Sequence, residues 1–285
     1  MLAKSDGAKG ADVTSNNRST EDATWSKDAN RRHRLRSSAA TLTKVLYVVA
    51  TFVVVVVVWQ AAVTVFHVSS VILPSPVEVV QALDTAKHII LEALGWTMYA
   101  TLIGFAIAVV AGVACALLVS EVALLRKTLY PLIVSFQSMP HIGLAPLLVI
   151  WFGFGTASHA ALASLVAFFP IFSNMAHGLD TVRGERVRLF ESYGASRLET
   201  MWKLKLPMSL PFLFAGLSVG IIFSMLGVIV AEFLGSNQGM GYLLVQQSNN
   251  LDTPGVFAVL VALAVVGLLL HVIVGGVRHI TLRWL

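Results

Sequence analysis

Six long apolar stretches, separated by shorter polar segments, dominate the chain from residue 45 onward. A helix needs about 20 residues to cross the hydrocarbon core of a bilayer, and each stretch is long enough. One of them contains an unbroken run of valines from Val53 to Val58, which in water would favour a strand. In lipid the backbone must satisfy its own hydrogen bonds, which favours a helix. The predicted spans lie at about 45–67, 97–120, 128–151, 157–177, 210–233 and 255–277.

The composition supports a membrane protein. Of the 285 residues, 56% are hydrophobic and 12% are charged, which is about half the charged fraction of an average soluble protein. We therefore predict an all-α integral membrane protein with six transmembrane helices and a transmembrane domain over residues 44–285. The single cysteine, Cys115, excludes a disulfide framework within the chain.

Residues 1–43 differ from the rest of the chain, because they are polar and lack apolar periodicity. Such a segment cannot bury enough apolar surface to offset the entropy of ordering it, so we predict a disordered cytoplasmic tail. A basic cluster, Arg31 to Arg36, precedes the first apolar stretch. That stretch is longer than the ~7–15 residues of a signal-peptide core and has no evident cleavage site. A retained anchor is therefore favoured over a secretory or twin-arginine signal.

The positions of the basic residues predict the orientation in the membrane. With six spans, nineteen of the twenty lysines and arginines fall on one side, and only Lys87 falls on the other. Because cytoplasmic loops carry the excess of lysine and arginine, both termini are predicted to be cytoplasmic. The formal net charge of +5 therefore reflects membrane orientation and does not indicate nucleic-acid binding.

Two longer segments are predicted on the outer side of the membrane. Residues 69–96 contain the proline-rich run Leu73-Pro74-Ser75-Pro76 followed by an amphipathic stretch, which predicts a short surface helix. Residues 235–254 are rich in Gly, Asn and Gln, which predicts a loop. No internal repeat of the inverted-transporter kind is evident, and this disfavours a secondary transporter.

The polar segment between the fourth and fifth spans, residues 180–207, predicts two short helices. Gly194 suits the left-handed position that ends a helix. Ser196 and Glu199 have the spacing of a capping box, which begins the next helix. Pro207 is predicted to mark the turn into the fifth span, because it cannot donate a helical hydrogen bond.

The second of these helices has an apolar face. Leu198, Met201 and Trp202 have the spacing that places three side chains on one side of a helix. From chemistry alone, two interpretations of the segment stay open. It is either an interfacial helix whose basic residues face lipid headgroups, or a docking surface for a partner protein.

The segment resembles the cytoplasmic EAA loop of binding-protein-dependent ABC importer permeases, because nine residues separate Gly194 from Leu204 and the pair Leu206-Pro207 follows. The resemblance is greatest to the nitrate, sulfonate and taurine branch and covers about residues 70–280. The order and spacing of several short motifs support it. They are Leu73-Pro74-Ser75-Pro76, Tyr130-Pro131-Leu132, Met139-Pro140, Ala145-Pro146-Leu147, Trp151-Phe152-Gly153-Phe154-Gly155, Phe168-Phe169-Pro170, Gly194-Ala195-Ser196, Leu206-Pro207, Ala231-Glu232-Phe233-Leu234-Gly235 and Gly239-Met240-Gly241-Tyr242.

One position departs from the family pattern. Where the family has its leading Glu-Ala-Ala triplet, this chain has Arg188-Leu189-Phe190, followed by Glu191. The contact made by the family's acidic residue therefore does not transfer to residue 188. The residues that the resemblance assigns to coupling with an ATPase are Arg188, Glu191, Gly194, Ala195, Ser196, Leu204, Leu206 and Pro207.

The resemblance also implies partners and a location. Such permeases have a type I importer core, and two copies pair to form the pathway, here as a homodimer. Cytoplasmic ATPase subunits, which carry ATP and Mg, dock on the coupling loop, and an external solute-binding protein delivers the solute. The expected location is a bacterial-type plasma (inner) membrane, in contact with lipid.

The chain itself has no P-loop. A P-loop requires Gly-x-x-x-x-Gly-Lys-Ser/Thr, and none of the lysines follows a glycine. The eight histidines form no HExxH motif, and no Gly-x-Ser-x-Gly elbow is present. We therefore predict no enzymatic activity, no metal site and no cofactor bound by this chain.

Polar residues inside the predicted spans are candidates for the translocation pathway, because burying them in lipid is costly. His141 lies near the middle of the third span, with Gln137 one turn earlier on the same face. Glu232 lies at the outer end of the fifth span and could contact the binding protein, act in gating or cap the loop that follows. The alternative role for Gln137 and His141 is interhelical hydrogen bonding. Several prolines predict that the third span is kinked.

The branch resemblance implies a small polar solute, an organic or inorganic anion such as nitrate, taurine or an alkanesulfonate. A thiamine-precursor pyrimidine is the alternative solute. A gradient-driven carrier or channel is the alternative class of transporter, and a membrane anchor without transport activity is a third. The absence of Asp, Lys and Arg within the predicted spans disfavours an ion-coupled carrier.

Overall fold

In the computed structural model, the described residues are 43, 46–47, 49–137, 139–182 and 184–284. Within this part of the chain the regular secondary structure is entirely helical. The described part of the chain divides into two units, with the boundary between Phe66 and His67. Apart from Thr43, the predicted tail lies outside the described residues.

The first unit contributes one apolar helix, α1, and the second contributes the remaining nine helices of the described chain. A 3₁₀ turn at His141–Leu144 precedes α4, a π turn at Met201–Lys205 joins α7 to α8, and a 3₁₀ turn at Leu282–Trp284 follows α10. The helices are α1 (Val49–Val65), α2 (Pro76–Glu121), α3 (Ala123–Gln137), α4 (Ala145–Phe152), α5 (Thr156–Thr181), α6 (Glu185–Ser192), α7 (Arg197–Thr200), α8 (Leu206–Phe233), α9 (Met240–Asn249) and α10 (Thr253–Thr281).

Four helical segments in the described chain are long and apolar enough to cross a membrane: α2, α5, the continuous helix from α7 to α8, and α10. Helices α3 and α4 are long and apolar enough to cross a membrane only when they are counted together. The angle between them is 92°. The helix α1 is apolar but shorter than these four segments. The all-helical membrane fold is thus confirmed, whereas the count of six spans stays a prediction.

The predicted surface helix and the predicted second span form one continuous helix. A single helix, α2, runs over 46 residues, which corresponds to about 70 Å at 1.5 Å per residue. It begins with a capping box in which the Ser75 hydroxyl accepts from the Glu78 amide at 3.2 Å and the Glu78 carboxylate accepts from the Ser75 amide at 2.7 Å. No proline follows Pro76 within the helix. The prediction of a separate surface helix was therefore wrong.

The glycine-rich segment after α8 was predicted to be a loop, and this was wrong as well. It contains α9, whose Met240, Leu243 and Leu244 are buried. Their spacing puts them on one helix face, and they form a core cluster with residues of α2, α8 and α10. The high content of Gly, Asn and Gln led to the prediction of a loop, although the segment contains this short apolar helix face.

The third predicted span is interrupted between Gln137 and His141. Pro131 lies inside α3 without ending it, whereas Pro140 directly precedes the 3₁₀ turn. The bend of 92° between α3 and α4 agrees with the predicted kink, whereas the crossing of the membrane by this pair stays a prediction. Gln137 and His141 do not lie one turn apart on a single helix, as the sequence had indicated, because the helix ends between them.

The core of the second unit is a close contact of α5 with α2 on one side and α8 on the other. The buried residues of α2 along this contact are small and recur every four positions. They are Ala100, Gly104, Ala108, Gly112 and Ala116. A Cβ atom on Gly104 would lie 2.5 Å from the Cβ atom of Ala163 in α5. The backbones therefore approach so closely that only glycine fits.

Helices α8 and α5 also approach each other closely at glycine residues. A Cβ atom on Gly216 would lie 2.9 Å from the Pro170 carbonyl oxygen, and one on Gly227 would lie 2.9 Å from the Ala163 Cα atom. Lipid provides no hydrophobic driving force between helices, so close packing of small residues is a main source of their association. This packing brings α2, α5 and α8 together along the core of the second unit.

Replacing Gly104 by alanine tests this packing. We expect the variant to lose about 1–3 kcal/mol of stability, the usual cost of overpacking a core, because the new methyl group meets Ala163 and the backbone of Ala160. Gly95→Ala is the matched control on the same helix, since a methyl group at that position would meet no atom of a neighbouring helix within 4 Å. The thermal unfolding midpoint in detergent distinguishes them, and equal midpoints would contradict the packing argument.

Candidate functional site

The predicted helix break at Gly194 is present. Gly194 has φ +79°, a left-handed value that favours glycine. Its amide donates to the Glu191 carbonyl at 3.0 Å, and the Ala195 amide donates to the Phe190 carbonyl at 3.1 Å. These two bonds form a Schellman motif, which satisfies the last carbonyl groups of α6 and ends the helix.

The predicted capping box at Ser196 is present too. The Ser196 hydroxyl accepts from the Glu199 amide at 3.2 Å, and the Ser196 amide donates to a Glu199 carboxylate oxygen at 3.0 Å. Lys203 donates to the other carboxylate oxygen of Glu199 at 3.0 Å. Local hydrogen bonds thus determine both where α6 ends and where α7 begins, so the two short helices have a defined geometry.

Pro207 does not mark a turn, which corrects the sequence prediction. The helix is continuous from Arg197 to Phe233 and passes through the π turn at Met201–Lys205. A proline inside a helix removes one hydrogen bond and collides with the carbonyl four residues earlier. The wider π turn, which ends at Lys205 two residues before Pro207, accommodates this loss, so the chain continues as a helix.

The α6–α7 segment, residues 184–205, exposes large apolar side chains. The exposed fractions are 83% for Tyr193, 69% for Leu198 and 61% for Trp202. Met201 is instead buried against residues of α2 and α5. The predicted common face of Leu198, Met201 and Trp202 is therefore divided, because Met201 at the start of the π turn points into the core. An exposed apolar surface of this kind indicates contact with a partner or with lipid.

The same segment borders a charged cleft of about 580 Å³. Its lining includes two of the predicted coupling residues, Arg188 and Glu191, together with Glu121 and Arg126 from the α2–α3 region. Two ion pairs join the end of α2 and α3 to the rest of the bundle: Lys205 to Glu121 at 2.6 Å and Arg126 to Asp180 at 3.8 Å. Of the other predicted coupling residues, Leu204, Leu206 and Pro207 are half-buried, whereas Ser196 is exposed.

His141 and Gln137 occupy different surroundings. The His141 ring lies 5.0 Å from the Phe169 ring, and His141 borders a cavity of about 350 Å³ lined mainly by apolar side chains of α5 and α8. Its Nε2 atom is buried and has no hydrogen-bond partner among the described residues. Gln137 is exposed at the end of α3.

Glu232 has an exposed fraction of only 2%. Its carboxylate accepts from the Thr97 hydroxyl at 2.8 Å and from the Gly241 amide at 2.7 Å. The Thr97 oxygen in turn accepts from the Met240 amide at 2.8 Å. These are the first amide groups of α9, which a helix leaves unpaired. Of the roles predicted for Glu232, the structure shows the capping of the segment that follows it.

Thr97 could not be recognised from the sequence. A single threonine within an apolar helix is common and carries no local signal, since its partners are 135 and 143 residues away. A side chain on Gly239 or Gly241 would collide with the Glu232 carboxylate. Both glycines are therefore required by the close approach of this carboxylate to α9.

A bundle of membrane-crossing helices, with a defined pair of short helices before the penultimate long one, has the architecture of an ABC importer permease. The chain belongs to the family described as binding-protein-dependent transport system inner membrane component, which matches residues 104–280. It is therefore an inner-membrane component of a transport system and not an enzyme.

Curated relatives agree with this family. The chain is 31% identical to the formylaminopyrimidine transport permease protein ThiX of Halalkalibacterium halodurans, over 82% of this chain and 93% of that protein. It is 32% identical to the aliphatic sulfonates transport permease SsuC of Bacillus subtilis, described as putative, over 81% of this chain and 84% of that protein. It is 28% identical to the taurine transport permease TauC of Escherichia coli, over 82% and 87%.

Two solved structures share the fold. An inward-facing structure of the MetNI methionine ABC transporter aligns with TM-score 0.63 and 17% identity, covering 70% of this chain and 99% of that one. A crystal structure of an amino acid ABC transporter with histidines aligns with TM-score 0.57 and 14% identity, covering 72% and 98%. At these identities the likeness concerns the fold alone.

Replacing Thr97 by valine tests the polar contacts at α9. We expect a loss of about 1–3 kcal/mol, the cost of leaving a buried group unpaired, because both the Met240 amide and Glu232 lose a partner. Hydrogen exchange of the α9 amides should accelerate. The control is Thr101→Val, since within the described part of the chain the Thr101 hydroxyl donates only to the Thr97 carbonyl of its own helix, at 2.7 Å. Equal exchange in the two variants would contradict the assigned contacts.

Proposed function

We propose that this permease crosses the membrane six times with both termini in the cytoplasm. The six spans are the four long helices, the bent pair α3 and α4, and α1. The segregation of nineteen of the twenty lysines and arginines to one side supports this arrangement, because an odd number of spans would abolish it. In this arrangement residues 1–43 form a cytoplasmic tail, residues 44–285 form the transmembrane domain, and the α6–α7 segment faces the cytoplasm.

The α6–α7 segment is the docking surface for a cytoplasmic ATPase subunit. The observation that carries this assignment is the pair of short helices fixed around Gly194, with Tyr193, Leu198 and Trp202 exposed beside charged groups. A groove on a partner protein would bury these side chains. In a purely interfacial helix they would instead be inserted into the lipid. The residues assigned to coupling are Arg188, Glu191, Gly194, Ala195, Ser196, Leu204, Leu206 and Pro207.

The complete transporter contains two copies of this chain, two ATPase subunits and an external solute-binding protein. ATP and Mg bind to the ATPase subunits, because this chain lacks a P-loop lysine. The structural neighbours are ABC transporters, which supports ATP-driven import over a gradient-driven carrier or channel. Closure of the ATPases then drives the change between inward-facing and outward-facing states.

The translocation pathway passes near the broken third span. Gln137 and His141 border it, because an irregular backbone in a membrane is tolerated where it faces protein or a cavity, and His141 lines one. Glu232 acts on the pathway indirectly, since its carboxylate is already bonded to Thr97 and α9.

The solute is a small polar molecule, and an organic or inorganic anion of the nitrate, taurine or alkanesulfonate type is our first choice. Sulfonate and taurine permeases among the relatives support it. A thiamine-precursor pyrimidine is the second candidate, supported by the formylaminopyrimidine permease. The sequence identities to these relatives are nearly equal. The binding protein that accompanies this chain therefore determines which of the two solutes is imported.

Import in proteoliposomes tests the ATP-driven mechanism. The chain is reconstituted with its ATPase and binding protein, and uptake of labelled nitrate, taurine, methanesulfonate and formylaminopyrimidine is measured. We expect uptake of one of these classes, and its loss when the P-loop lysine of the ATPase is replaced by alanine, because that lysine holds the transferred phosphate. Uptake that persists in the lysine variant would refute the proposed function.

The variant Gly194→Val tests the docking surface. A β-branched residue cannot adopt φ +79° without strain, so the Schellman motif should be lost and co-purification of the ATPase should fall at least tenfold. Gly194→Asn is the control, because asparagine tolerates the left-handed conformation. Both variants should insert into the membrane normally. If Gly194→Val captures the ATPase as wild type does, the segment has been assigned wrongly.

A further inference from the structure

Polar contacts join α2 to α8 near both ends of α8. At one end, Lys205 donates to Glu121 at 2.6 Å, and the exposed fractions of these side chains are 14% and 34%. We call this pair the inner clamp. Lys205 is the last residue of the π turn and Glu121 is the last residue of α2. The contact therefore connects the two helices where the α6–α7 segment enters α8.

At the other end, Thr97 of α2 and Glu232 of α8 share a hydrogen bond at 2.8 Å. We call this pair the outer clamp. Each partner also holds one of the first amide groups of α9: Thr97 accepts from Met240, and Glu232 accepts from Gly241. The beginning of α9 is thereby attached to both helices at once.

In the proposed six-span arrangement, the two clamps lie on opposite sides of the bilayer. Thr97 and Glu121 are separated along α2 by about 36 Å at 1.5 Å per residue, which exceeds the ~30 Å of the hydrocarbon core. Between the clamps, the Ser224 hydroxyl of α8 donates to the Thr101 carbonyl of α2 at 2.9 Å. The order of these contacts along the two helices shows that α2 and α8 run antiparallel.

The inner clamp lies where the helix path is least regular. A π turn has i→i+5 hydrogen bonds and occurs mostly as a single turn inside an α-helix, frequently at a functional site. A displacement of α7 could be absorbed there by bending, so that α8 would stay in place. The bond from Lys205 to Glu121 opposes such bending, because it attaches the end of the π turn to a second, 46-residue helix.

We infer that α2 and α8, held together by the inner and outer clamps, form one strut that carries a displacement of the α6–α7 segment across the membrane to α9. Glu121, Lys205, Thr97 and Glu232 are positioning residues of this strut. The inference rests on the proposed function, because the displacement originates from the ATPase docked on the α6–α7 segment. Two-state movement of packed helices as rigid bodies is a known mode of such transitions.

The experiment measures the movement of α9 without requiring a solute. A spin label is placed at residue 248 by Ser248→Cys, at an exposed position of α9, in a Cys115→Ala background. The distance between the labels of the two copies is recorded in the assembled transporter, before and after trapping with ATP and vanadate. In the otherwise wild-type chain we expect a shift of this distance on trapping.

Glu121→Gln removes the charge of the inner clamp outside the docking segment. We expect the ATPase to co-purify as with wild type, while the distance shift falls to less than a third. Glu92→Gln is the matched control, because Glu92 is an exposed carboxylate on the same helix, and it should keep the full shift. The exchange Glu121→Lys with Lys205→Glu should restore the shift, which a merely structural loss would not predict.

A second variant keeps the test decisive if Glu121→Gln does not assemble. Thr97→Val breaks the outer clamp and should reduce the shift at α9 to less than a third, while the ATPase stays bound. A full shift in either Glu121→Gln or Thr97→Val overturns the strut, and so does a charge exchange that assembles but does not restore the shift. Failure of the proposed function looks different: the wild-type chain would not capture the ATPase, or would give no distance between two copies.

Discussion

Close backbone contact between α5 and its two neighbours is the constraint on which the rest of the structure depends. Within lipid, helices associate through packing and hydrogen bonds, since apolar surface gains nothing by leaving an apolar solvent. Small residues at every fourth position of α2, and glycines such as Gly216 and Gly227 of α8, let the backbones meet. Larger side chains along these seams would separate the helices and with them every polar contact that joins α2 to α8.

The polar groups of the core follow from this packing. A carboxylate such as Glu232 is costly to bury unless it is hydrogen-bonded, and the close approach of α2 and α9 provides its partners. The same approach explains Gly239 and Gly241, where a side chain would occupy the space of the carboxylate. The Lys205–Glu121 pair at the opposite end has the same origin, because α2 and α8 emerge side by side from the common contact with α5.

Local features of the segment before α8 could be predicted from the sequence because their signals are short-range. Gly194 and the Ser196–Glu199 pair act within five residues of chain, and their hydrogen bonds are those that the pattern indicates. Pro207 was misjudged, since its effect depends on whether the preceding turn can widen. The short helix α9 was missed because its composition suggests a loop, although Met240, Leu243 and Leu244 have helical spacing.

By itself, the sequence determined the membrane character, the helical class, the family and the helix boundaries around Gly194, because hydrophobic length, charge position and capping are properties of neighbouring residues. Only the tertiary structure decided which polar side chains meet. Thr97 and Glu232 are 135 residues apart, and Glu121 and Lys205 are 84 residues apart. No local pattern relates such pairs, since their meeting depends on how closely α2 and α8 pack against α5.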